Sequence, residues 1–473
     1  MTPSELLEQC RDALRLSGEA DADVHASVVR RGCARFAIGE LSQHMGLEDV
    51  VARVRVAKGR RVAEVATTDI GALRATIAAC SGLAAKAPEI DGWDGVAPAG
   101  DPTPAPERWS PATAEISDED RATLSERAID RVARAGLLAA GMLETQSHTV
   151  AVASTRGAAR VHEGTTASFK VWALDDPAGR GSSGHAFRFA RDVVEIAAGI
   201  DEATDEAIAV AKRGAAERRR AEPGAWDLVL EGPAIAELLE WLGMIAFSAG
   251  DVEQGRSPLA GRIGQAITGE RISIVEDPLD EGPMGFADPF DRDGTSRRRV
   301  ELVSRGVARG VLYDRVYSAR ARRASRSPTG GAAGEKDVVS TGSARVPDFG
   351  SETGVGPVAL HLAYEGADAA DTASLIAGMK RGLWIRRLHY VNGYVETRRA
   401  VMTGLSRDGC FLVEDGRVVC PVFNVRMTDS FLEMLARADG ATRERVAVGA
   451  AWAEGGTLVV PRAIRIPATL LTA

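Results

Sequence analysis

The sequence predicts an α+β protein: an N-terminal α+β domain with an antiparallel sheet, then a β-rich domain with a curved or barrel-like antiparallel sheet and a few helices. Three observations carry this. Long stretches alternate apolar and polar residues, as half-buried strands do: Ala22, Val24, Ala26 and Val28, then VARVRVAKGRRVAEVATT over 51–68. Capped helices are fewer and lie between these stretches. The chain has 473 residues, and single cores stop growing near about 250–300 residues. The boundary is placed at Glu222-Pro223-Gly224, giving domains 1–222 and 223–473.

The elements follow in order. Thr2 and Glu5 form a capping box with Pro3 at the first helical position, so the N-terminus reads as a folded helix rather than a signal peptide. Strands follow over 22–38 and 51–68, the second turning at Lys58-Gly59. A helix over 69–86 carries Leu73, Ile77 and Leu83 on its apolar face. Six prolines make 87–113 an extended loop or linker. Ser117 caps a helix to about 135, and strands 136–145, 148–155 and 159–175 form an antiparallel sheet. A charged helix over 201–220 closes the first half.

The second half opens with a strand over 226–230 and a helix over 233–248, with Pro233 in its first turn. Further strands are read up to residue 320, two of them joined at Arg309-Gly310. A Gly- and Ser-rich stretch over 327–357 reads as mobile. A strand over 358–364, a short helix over 371–379 and three strands in series follow. Asn392-Gly393 reads as one turn and Asp415-Gly416 as a hairpin. A helix over 429–437 and a strand pair ending at Ile466 complete the chain.

The net charge of −8 argues against a general nucleic-acid binder. The five cysteines are scattered without a C-x-x-C pair, so neither a disulfide framework nor a zinc finger is indicated. No run of about 18 apolar residues exists to span a membrane. A cytoplasmic location is the simplest expectation.

Several stretches of the second half resemble the TldD/PmbA (TldE) family of metallopeptidase-like proteins. They are VLEGPAIAELLEWL, GRSPLAGRIGQ, the long ISIVEDPLDEGPMGFADPFDRDGTSRRRVELVSRGVARGVLYDRVYSAR, SPTGGA, LAYEGADAADTASLIAGMKRGLWI and LSRDGCFLVEDGRVVCPV. The resemblance covers about 225–465, and more weakly 22–69. In the catalytic branch of that family, a helix carries His-Glu-x-x-x-His, and a cysteine near the C-terminus supplies a third ligand. Imidazoles and a thiolate hold the metal, which lowers the pKa of its bound water. Aligned from Leu238-Leu239, the first His position is Glu240, the Glu position is Trp241 and the second His position is Ile245. The stretch expected to hold the cysteine, RERVAVGAAWAEGG, has none.

The resemblance therefore implies the TldE/PmbA-type branch. Such a chain is expected to have no catalytic residue, metal or cofactor of its own. It pairs with a TldD-type subunit that carries zinc, and the pair degrades or trims unfolded or modified peptides. Leu242, Ile245 and Ala246 then form a core face. The loop DPFDRDG, with Asp288, Phe290, Asp291 and Asp293, resembles half a calcium loop without the distal Glu. It reads as a polar turn, or as a loop lining the cavity or subunit interface.

Other sites are weaker. A rebuilt hydrolase site around His361, His389 and Glu240, acting on a peptide-like amide in natural-product biosynthesis, is the second reading. A homodimeric peptide-binding protein is the third. His389, Glu396, Cys410 and Cys420 as a substitute ligand set rank below simple packing, and Cys410 and Cys420 are placed to face each other across the Asp415-Gly416 hairpin. There is no G-x-S-x-G elbow and no phosphate loop.

Overall fold

A computed structural model describes all residues except 101–105, 177, 179–180, 326–337, 347–353, 452–455 and 473. Parts of the expected linker and of the expected mobile stretch lie outside the described residues. No helix is long and apolar enough to cross a membrane among the described residues.

The N-terminal helix α1 (Pro3–Ser17) has the expected capping box, and Gly18 ends it in the left-handed region. Six strands then build one antiparallel sheet: β1 (Ala22–Ala37), β2 (Glu40–Lys58), β3 (Arg61–Thr67), β4 (Leu138–Ser154), β5 (Ala159–Leu174) and β6 (Ser183–Ala190). Its order is β3-β2-β1-β4-β5-β6. The helices α2 (Leu73–Ala84), α3 (Pro111–Glu115), α4 (Asp118–Arg134) and α5 (Val193–Gly214) complete this half. One face of the sheet packs on α1 and α2 through Val24, Val54 and Ala151. Further along, the same face packs on α4 and α5 through Phe36, Leu143 and Phe169. Alternation sends His25, Arg55, His148 and His162 to the opposite face.

The remaining strands are β7 (Gly224–Glu231), β8 (Ile272–Glu276), β9 (Val300–Ser304), β10 (Val307–Ala308), β11 (Ala359–Tyr364), β12 (Arg381–Glu396), β13 (Val401–Glu414), β14 (Arg417–Pro421), β15 (Arg426–Ser430), β16 (Gly440–Ala441), β17 (Arg445–Gly449), β18 (Thr457–Pro461) and β19 (Ala463–Leu471). Two sheets result. One runs β10-β9-β8-β11-β18-β17. The other runs β12-β7-β19-β15-β13, and β13 pairs back onto β12, closing a ring with β14 attached. The barrel-like expectation is met by this ring. Two pairings within the otherwise antiparallel pattern are parallel, β7 with β12 and β11 with β18. The helices here are α6 (Gly232–Ala246), α7 (Ala249–Glu253), α8 (Arg315–Ser325), α9 (Thr372–Ala377) and α10 (Phe431–Arg437). Helix α6 lies between the ring and the six-stranded sheet, touching β12, β7 and β19 on one side and β18, β17 and β11 on the other.

Several local expectations are corrected. The turn after β9 is at Arg305 and Gly306, both left-handed, and not at Arg309-Gly310. The strand expected near 311–320 gives way to α8, because Asp314 accepts a hydrogen bond from the Tyr317 N–H at 2.7 Å and starts a helix. Asn392 and Gly393 lie within β12 rather than at a turn. The two strands expected over 136–155 are the single β4. Leu83 is 55% exposed and leaves the apolar face of α2 to Leu73, Ile77 and Cys80.

The free face of the first sheet meets residues 288–294. Arg55 on β2 bridges Asp23 and Asp293, at 2.5 and 2.8 Å. Burial pushes the Asp23 carboxyl up, and Arg55 opposes it. Asp293, equally buried, is held down by Arg55 and Arg292. Arg292 also pairs with Glu64 of β3. Removing Arg55 leaves two buried carboxylates without their shared cation. Arg55→Ala is expected to destabilise the fold by about 3–5 kcal/mol in chemical denaturation, whereas Arg30→Ala, at the exposed pair with Glu48, should leave the midpoint nearly unchanged.

Candidate functional site

Helix α6 begins with Pro233 in its first turn, and its N-cap residue, Glu231, makes no side-chain cap. The Glu231 carboxylate instead accepts from Trp384 Nε1 at 3.0 Å and Arg386 Nε at 2.8 Å. Beyond it, only Pro233 and Glu237 of the helix escape full burial. The expected core face of Leu242, Ile245 and Ala246 is present, and it widens to nearly the whole circumference because sheets cover both sides.

The three positions of interest sit in this buried helix. Glu240 is 5% exposed, and its Oε2 accepts a hydrogen bond from the Ala451 N–H at 3.0 Å. Trp241 meets Tyr394 edge-on, with ring centroids 5.3 Å apart. Its indole lies on the backbone of Gly393, where an added Cβ would come within 2.9 Å of the ring. That close approach explains the glycine inside β12. Ile245 is packed in the main core. Gly243 brings the helix against β11, since an added Cβ would lie 2.8 Å from Leu360. One turn earlier, burial raises the Glu237 carboxyl to about 7, against the pull of Arg387 and the Val391 N–H.

These side chains do not fit a zinc ion. Ile245 has no donor atom, Trp241 cannot serve as a base, and Glu240 is engaged with a main-chain N–H. Among the described residues, no three His, Cys, Asp or Glu side chains converge as a metal-holding group. Part of the stretch where the family's cysteine would fall, 452–455, lies outside the described residues.

The DPFDRDG loop seats against the first sheet. Asp288 Oδ1 lies 2.9 Å from His148 Nε2 and 3.9 Å from His162 Nε2. Burial works against its ionisation, but His148 and then His162 carry its carboxyl down to about 2. Phe290 is buried, and its carbonyl accepts from Arg297 Nε. Asp291 is 1% exposed and accepts from the N–H groups of Asp293, Thr295 and Ala344. Burial and the neighbouring Asp293 push its carboxyl up. These residues face an internal seam. His148, His162, Arg55 and Arg292 were missed by the sequence reading, because their shared face depends on strand register across a long connection.

His361 lies on β11, facing Asp280 Oδ2 at 3.9 Å. Burial lowers its pKa, and Asp280 opposes this. It lines an open cleft of about 650 Å³ with Asp277, Asp280, Arg299 and Arg445. Its neighbour Leu360 faces α6, so alternation puts His361 and Glu240 on opposite faces of that sheet. His389, on β12, stacks edge-on against Tyr390 at 4.4 Å, with its pKa lowered by partial burial and then by Arg407 and Arg387. His361, His389 and Glu240 therefore do not assemble into the second reading's hydrolase site. Cys410 and Cys420 do not oppose each other either. A bulge shifts the register so that Cys420 pairs with Leu412, and burial pushes the Cys410 thiol up to about 12.

A model of the PmbA/TldA metallopeptidase C-terminal domain matches residues 223–472. The chain belongs to the PmbA/TldD family. It is 34% identical over 133 residues to an uncharacterized protein of Methanocaldococcus jannaschii, covering 28% of this chain and 30% of that one. It is 24% identical over 228 residues to a metalloprotease of Methanothermobacter thermautotrophicus, covering 48% and 45%. The chain thus spans less than half the length of these curated relatives. Its fold matches the crystal structure of TldE from Thermococcus kodakarensis with a TM-score of 0.82 and 16% identity, over 98% of this chain and 100% of that one.

Two outcomes follow for this member of the PmbA/TldD family. Trp241→Ala opens a cavity against Gly393 and Tyr394 and should cost about 3–5 kcal/mol by thermal or chemical unfolding. Burial and then Asp293 raise the Asp314 carboxyl to about 7, above its ordinary value near 4. The protonated form therefore favours the fold, and its contribution is complete below about pH 4 and fades as pH rises through 7. Against Asp314→Asn, the wild type should lose about 1.4 kcal/mol of stability per pH unit across that window, read from denaturation midpoints at stepped pH.

Proposed function

We propose that this chain is the non-catalytic, TldE/PmbA-type subunit of a heterodimeric metallopeptidase. It completes the peptide-binding cavity of a TldD-type subunit that holds zinc, and the pair acts on unfolded or modified peptides. The observation that carries this reading is the chemistry of α6. Family membership supplies the framework, while Glu240, Trp241 and Ile245 spend their side chains on a main-chain hydrogen bond, an aromatic contact and the core.

The cleft beside His361 is the surface this subunit contributes. Asp277 and Asp280 stand there with Arg299 and Arg445, a mixture suited to peptides of varied sequence. An extended peptide also satisfies its backbone on strand edges. A chamber closed by two subunits admits unfolded chains and excludes folded ones.

The test is metal analysis and peptidase assay on the purified chain, alone and mixed with a TldD-type subunit, using an unfolded polypeptide as substrate. Zinc and hydrolysis are expected only with the partner. Stoichiometric zinc and peptidase activity in the isolated chain would falsify the proposal.

A further inference from the structure

The first sheet carries a long open edge. Strand β2 pairs with β1 from Glu40 to Val56. On its other side, β3 pairs only with Ala52–Lys58. No bridge among the described residues covers 40–51 on that side. At about 3.4 Å per residue, this is a far longer unpaired edge than proteins usually leave bare. Neither Pro nor Lys lies in 40–51, and its charges are Glu40, Glu48 and Asp49, with Glu48 paired to Arg30 within the sheet. Residues 42–49 are all exposed, and Met45 and Leu47 are 50% and 48% exposed.

We propose that this edge is an interface with a second copy of the same chain, the two β2 strands pairing antiparallel about Gly46. The sequence is self-complementary in that register. Met45 falls opposite Leu47 of the second copy, and both lie on one face. His44 falls opposite Glu48 on the other face, and Gln43 opposite Asp49. Each of these contacts occurs twice by the two-fold symmetry. Gly46 sits on the axis with open space around it, so the two backbones approach without side-chain clash. Moving the axis by two residues, to His44, shifts the register by four and sets Met45 against Gln43, which loses the apolar pair. The result is a continuous sheet of two six-stranded halves. The surface lies on a different sheet from α6 and from the His361 cleft, so the inference stands apart from the proposed function.

The experiment is sedimentation of the purified full chain across a concentration series. The wild type is expected to form a dimer. Met45→Lys with Leu47→Lys should weaken dimerisation by about tenfold or more, with the protomer still folded by circular dichroism because both sites are exposed. His44→Glu should also weaken it, by facing two carboxylates, and adding Glu48→Lys should restore it. A monomeric wild type, a dimer indifferent to these changes, or an edge engaged only when a TldD-type subunit is added would each overturn the inference. The zinc and peptidase assays read the proposed function separately.

Discussion

The C-terminal half depends on the burial of one helix between two sheets. Helix α6 has almost no solvated side, so nearly every residue on it is fixed by packing rather than by water. Ring strands β7, β12 and β19 hold one side, and β11, β17 and β18 hold the other. Two glycines set how closely the layers approach, Gly243 against Leu360 and Gly393 against Trp241. Such a position is well suited to presenting metal ligands rigidly. Here the same rigidity serves packing, because the side chains that could have carried ligands are a tryptophan, an isoleucine and a glutamate already hydrogen-bonded to the chain.

The seam between the halves is electrostatic where the helix is apolar. Arg55 stands between Asp23 and Asp293, and His148 between the first sheet and Asp288. These pairs tie residues far apart in sequence and orient the DPFDRDG loop. Buried charges of this kind are costly to leave unpaired, which explains how a loop rich in aspartates is held inside the molecule.

What was legible in the sequence was local. The Thr2–Glu5 box fixes α1, and the Asp415-Gly416 hairpin forms with both residues left-handed. Alternation located most strands of the first sheet, and block order gave the family. What was illegible depends on contacts distant in sequence. Asn392-Gly393 has a strong turn signature, yet Trp241 needs that glycine inside a strand. The stretch over 311–320 reads as a strand, but Asp314 accepts from the Tyr317 N–H and a helix starts within it. Cys410 lies five residues before Asp415 and Cys420 four after Gly416, so the two-residue turn already offsets them, and a bulge widens the offset. The replacement of the motif at Glu240, Trp241 and Ile245 was legible by alignment alone. Its meaning came from what those three side chains touch.

The central claim is that Glu240, at the family's first ligand position, performs no chemistry. Its carboxylate holds the Ala451 N–H, a role a glutamine oxygen can fill. The most direct test is the peptidase kcat of a complex reconstituted with a TldD-type subunit and Glu240→Gln in this chain. The account predicts a kcat equal to that of the unmodified complex. A fall of about a hundredfold or more, the size expected when a ligand or general base is lost, would contradict it.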